Sequence, residues 1–148
     1  MGFLVVFLSV WVIILSIVDA DRVFSLSAFG GEFANVPVVL PVGSTYLKLK
    51  GTGGGEISFT LEEPSGFLTL LNDPTQYVSV DANGLHITDR GGASKDFGLD
   101  ESGNLRFTAS FQGWWACPQA DESFNIASWA CKDGIKIILI PKVRTVEE

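Results

Sequence analysis

The sequence predicts a single all-β domain, and three observations carry that expectation. Apolar and polar residues alternate with period two over short runs, the runs are separated by clusters of Gly, Pro, Asn and Asp, and no stretch beyond residue 20 holds a 3.6-residue period. Composition agrees, since 16 glycines, 11% aromatic residues and a single Met suit turns and strands better than long helices. A chain of 148 residues has room for one core.

The first element stands apart from the domain. From Phe3 to Val18 the chain carries no charge, and this run of 16 residues is shorter than a bilayer crossing needs. It ends in Val18-Asp19-Ala20, with small residues at the two positions a signal peptidase reads. Residues 1–20 are therefore read as a secretory signal and residues 21–148 as the mature domain. An uncleaved anchor is the competing reading, because no Lys or Arg precedes the apolar run.

Strands follow in order. Phe24-Ser25-Leu26-Ser27-Ala28 opens the domain, and Tyr46–Lys50, Ile57–Leu61, Tyr77–Asp81, Leu105–Phe107 and Ile135–Ile137 continue the same alternation. Between them Pro64-Ser65-Gly66, Asn72-Asp73-Pro74, Asn83-Gly84, Gly91-Gly92, Ser102-Gly103-Asn104 and Asp133-Gly134 supply residues that tolerate positive φ or fix a bend. A faint repeat is present as well: Phe59-Thr60-Leu61 and Phe97-Gly98-Leu99 are each followed by two acids and a Gly-x-Leu-like return, and Phe24-Ser25-Leu26 begins a third copy. Each copy reads as a hairpin. Three such units closed by Ile135–Ile140 match the arithmetic of a β-trefoil, which is the first expectation; a two-sheet β-sandwich fits the same strand spacing.

Cys117 and Cys131 both follow the signal, and an even count in a secreted chain predicts one disulfide. Two free thiols, or half a metal site completed by His86, are the alternatives. Tryptophans concentrate around this pair, in Gly113-Trp114-Trp115-Ala116-Cys117-Pro118 and Ser128-Trp129-Ala130-Cys131. Adjacent residues on a strand face opposite ways, so one of Trp114 and Trp115 packs beside the bridge and the other meets solvent or a partner. Trp114, Trp115 and Trp129 are thus the candidate glycan-contacting residues, with a plain aromatic cluster shielding the cystine as the alternative.

Catalytic chemistry finds little support. The acid pairs Glu62-Glu63 and Asp100-Glu101 resemble glycosidase carboxylates in composition only, and their place at hairpin turns predicts solvated turn residues. His86, between Leu85 and Ile87, reads as an outer-face strand residue, since no Gly-x-Ser-x-Gly elbow and no His-Glu-x-x-His pair accompanies it. Gly51-Thr52-Gly53-Gly54-Gly55 lacks the Lys-Ser/Thr ending of a phosphate-cradling loop. No catalytic residue, cofactor or metal is expected. A net charge of −7 argues against a nucleic-acid partner, and no second apolar span calls for a membrane.

Taken together, Phe24-x-Leu26-x-Ala28, Ser58-Phe59-Thr60-Leu61 with Gly66-x-Leu68, Gln76-Tyr77-Val78-Ser79-Val80-Asp81, Gly103-Asn104-Leu105, Ala116-Cys117-Pro118 and the late Cys131 resemble the fungal PhiA-type secreted cell-wall proteins. The hairpin and Gly-Asn-Leu pieces are also similar to the C-terminal domain of Pir-type yeast wall proteins. The chain lacks the Gln-containing repeats through which the Pir type attaches to glucan. What the resemblance implies is a non-catalytic extracellular protein associated with the fungal wall, whose partner is wall polysaccharide or glycoprotein. A carbohydrate-binding, lectin-like secreted effector using Trp114 or Trp115 is the second expectation. Oligomeric state is left open.

Overall fold

The computed structural model describes residues 22–63, 65–110 and 113–143; the expected signal, residues 1–20, lies outside them. Strand β1 (Arg22–Gly30) organises the rest. Phe24, Leu26 and Ala28 are buried, and so are Ser25 and Ser27 between them, so the strand is covered on both faces. One edge of β1 pairs with β12 (Ile135–Val143), from Phe24 to Phe29. The other edge is divided: its first half pairs with β4 (Ser58–Glu62) and its second half with β2 (Phe33–Val39).

From β2 the hydrogen bonding passes to β3 (Lys48–Leu49), β11 (Phe124–Ala127), β10 (Trp114–Pro118), β12 and back to β1. The result is a barrel-like sheet of six antiparallel strands, and closure leaves none of these six as an open edge. From the first half of β1 a second run extends through β4, β5 (Phe67–Leu70), β6 (Tyr77–Asp81) and β7 (Gly84–Thr88). This run is also tied back, because Leu47 and Thr45, just ahead of β3, hydrogen-bond to Leu85 and Ile87 of β7. The β8 (Phe97–Leu99) and β9 (Leu105–Phe107) hairpin forms a separate two-stranded sheet, and one 3-10 turn occupies Arg90–Gly92.

The domain is therefore all-β, as the alternation predicts. A closed six-stranded sheet is the feature it shares with a β-trefoil, while the strand order round it is its own. Strands β1, β2 and β3 run as a meander, whereas β10 lies between β11 and β12, so the link from β11 to β12 passes across β10. The three Phe-x-Leu copies do open three hairpins, β1–β2, β4–β5 and β8–β9. The first two lie side by side, with Phe24 opposite Phe59 and their rings 6.2 Å apart.

Two backbone features explain where alternation failed to announce a strand. In β2 the register against β1 shifts between Ala28 and Phe29, and Asn35 there adopts φ 62°, a left-handed conformation that Asn tolerates. Pro37 follows within the same strand and hides it further. At the turn of that hairpin, Gly30 has φ 139° and a Cβ at this position would lie 2.5 Å from the carbonyl oxygen of Lys136. Glycine is what lets β12 lie this close to the turn.

Candidate functional site around the disulfide

Cys117 and Cys131 form a disulfide with Cα atoms 6.0 Å apart across a sequence separation of 14. The bridge ties β10 to the connection between β11 and β12. Its far end is held by a turn in which the Gly134 amide donates to the Cys131 carbonyl, and a Cβ at Gly134 would meet Cys131 Sγ at 2.5 Å. The Asp133-Gly134 turn signal is thus fitted to the cystine itself. With both sulfurs bonded to each other, neither the free-thiol nor the metal alternative holds.

Strand alternation separates the two adjacent tryptophans. Trp114 is 2% exposed and joins the core, its indole Nε1 donating to the Leu105 carbonyl at 2.8 Å. A ring so enclosed has no face to offer a sugar, so Trp114 is a packing residue and not a contact residue. Trp115, on the opposite face, is half-buried beneath Lys136, its cross-strand partner on β12, whose Nζ lies 5.0 Å from the indole centroid. The Trp115 Nε1 is buried and donates to no hydrogen-bond acceptor among the described residues. Trp129 is 56% exposed, two residues before Cys131. Of the three candidates, Trp129 alone presents most of its ring to solvent.

Beside the bridge lies a pocket of about 520 Å³, lined by Tyr46, Lys48, Asn83, Gln119, Asn125 and Lys132 together with the cystine. Register assembles it: Asn125 of β11 stands opposite Lys48 of β3, and the turn between β6 and β7 closes over them. Asn125 is 6% exposed, and its Nδ2 donates to the Asn83 carbonyl at 2.9 Å. That bond fixes the amide's orientation and leaves Oδ1, also buried, with no donor among the described residues. Gln119 Nε2 is engaged with the Cys117 carbonyl at 3.1 Å. None of these six residues stands out in the sequence except Asn125, a lone amide inside the apolar run from Phe124 to Ala127.

The pocket's rim carries a small polar network. Tyr46 donates its hydroxyl to Asp81 Oδ2 at 2.7 Å, while Asp81 Oδ1 accepts from the amides of Asn83 and Gly84 at 2.8 and 3.0 Å. His86 Nδ1 lies 3.5 Å from the same carboxylate. Partial burial by itself pushes the Asp81 carboxyl up, but the Tyr46 hydroxyl, the two amides and His86 outweigh it and hold the group below the ordinary carboxylate range. The same bond to Asp81 holds the Tyr46 phenol above its usual value. A carboxylate whose folded pKa is depressed stabilises the fold above its unfolded pKa, and that contribution disappears as pH falls through the folded value. The melting temperature of Asp81→Asn is therefore expected to fall below wild type near neutral pH and to converge with it in acid; a gap that widens in acid would contradict the assignment.

Both acid pairs sit at hairpin turns. Glu62 ends β4 and Glu63 enters the turn after it, while Asp100 Oδ1 accepts from the Ser102 and Asn104 amides at 2.9 Å each and shapes its own turn. His86 is on β7, half-buried, turned toward Tyr46 and Asp81. Comparison of the chain with protein-family models, curated proteins and solved structures finds no match.

Proposed function

We propose that the chain is a secreted, non-catalytic protein of the fungal cell wall that works by structural or adhesive contact with wall polysaccharide or glycoprotein. The observation that carries this reading is the exposed indole of Trp129, presented on a loop that the cystine pins two residues later. An aromatic held in place by its scaffold loses little conformational freedom on contact, which is why such rings dominate interface energetics. The sequence resemblance to PhiA-type wall proteins and the apolar leader supply the compartment. A lectin-like reading, with a soluble glycan as ligand, draws on the polar pocket beside the same bridge.

Adsorption of the purified protein to washed fungal walls tests the first reading. Trp129→Ala is expected to cut retention by at least about fivefold, the loss typical of a contact tryptophan, while an exposed position keeps the melting temperature nearly unchanged. Equal retention of wild type and folded variant would remove Trp129 from the contact.

A further inference from the structure

The pocket beside the cystine has a chemical bias that the protein as a whole does not share. On a chain of net charge −7, its polar lining includes Lys48 and Lys132 and no carboxylate. Two acids close to its lining residues are already engaged: Asp81 with Tyr46 and the turn amides, Asp121 with the amide and hydroxyl of Ser123, although Asp121 also feels the charge of Lys48. Against the cations stands one buried acceptor, Asn125 Oδ1, whose amide cannot turn away because Nδ2 is committed to the Asn83 carbonyl. A buried polar atom left without a partner marks a place where a hydrogen bond is due.

Cations at the mouth and an acceptor in the wall ask for one molecule that carries both an anion and a hydroxyl donor. The volume of about 520 Å³ is in the range of small-ligand sites and takes a sugar ring. We propose that this pocket binds an acidic sugar, a hexuronate unit whose carboxylate meets Lys48 and Lys132 and whose ring hydroxyl donates to Asn125 Oδ1. Lys48 is the cross-strand neighbour of Asn125, so the two side chains leave the sheet on the same face and can reach one ligand. Tyr46 supplies an aromatic edge at the rim. The inference does not depend on Trp129 or on adsorption to walls, and either can fail without the other.

Calorimetric titration of the disulfide-intact protein with D-glucuronate, D-glucose and inorganic sulfate tests it. Glucuronate is expected to bind at least about tenfold more tightly than glucose, which lacks the anion, and than sulfate, which lacks the ring hydroxyls. Lys132→Ala, at an exposed position, should weaken glucuronate binding by at least about fivefold without lowering the melting temperature, and Lys132→Arg should retain most of it. Equal binding of sulfate and glucuronate, equal binding of glucose, or an unaffected Lys132→Ala variant would each overturn the proposal.

Discussion

Replacing both Cys117 and Cys131 by Ala is expected to lower unfolding stability by about 3 kcal/mol, the chain-entropy value for a loop of this length, and the melting temperature by roughly 10 °C. The separation of 14 residues sets that size, because the bridge restricts the unfolded chain over the segment that contains β11. Structure adds a reason for the loss to be felt locally. The bridge joins β10 to the β11–β12 connection, the one place where consecutive strands do not lie side by side in the barrel. Reduced wild type should reproduce the effect, and thermal scans with and without reductant measure it. A melting temperature insensitive to reductant would show that the six-strand closure holds without the cystine.

Trp114→Ala is expected to cost about 3–5 kcal/mol, the usual penalty for emptying a buried aromatic site. The substitution also strips the Leu105 carbonyl of the indole donor and so loosens the contact between the β8–β9 hairpin and the barrel. Trp114→Phe should recover most of the packing and leave a deficit of about 1–2 kcal/mol from the missing indole N–H. Urea unfolding of the two variants separates these parts. A Trp114→Ala protein as stable as wild type would place the ring outside the core, where it would again be available to a ligand.

How legible this was in the chain depended on which strands alternate apolar with polar residues. Strands β1, β4, β6, β9 and β12 all fall on such runs: in β9 and β12 the polar positions Arg106 and Lys136 meet solvent, while in β1 they are Ser25 and Ser27, which keep the pattern although they are buried. Strand β2 escaped notice because Asn35 inserts a bulge and Pro37 removes a donor in the same seven residues. Strand β11 is short and buried along most of its length, and a fully covered segment shows no period. The disulfide needed only a count of cysteines, and opposite facing of Trp114 and Trp115 followed from the pleat; which of them went inward did not. Tyr46, Lys48, Asn83, Gln119, Asn125 and Lys132 come from separate segments and meet only through the β3–β11 register and the β6–β7 turn, so no local pattern marks them as a pocket.

The proposed function requires that this chain leave the cell, keep its cystine and act by adhering. Fractionating producing cells into cytosol, medium, detergent-extractable wall and alkali-resistant wall, with intact mass measured in each, tests it most directly. The account predicts a chain beginning at Asp21, with both thiols oxidised, in the medium or the detergent-extractable wall. A full-length chain with reduced cysteines, recovered from the cytosol, would contradict it.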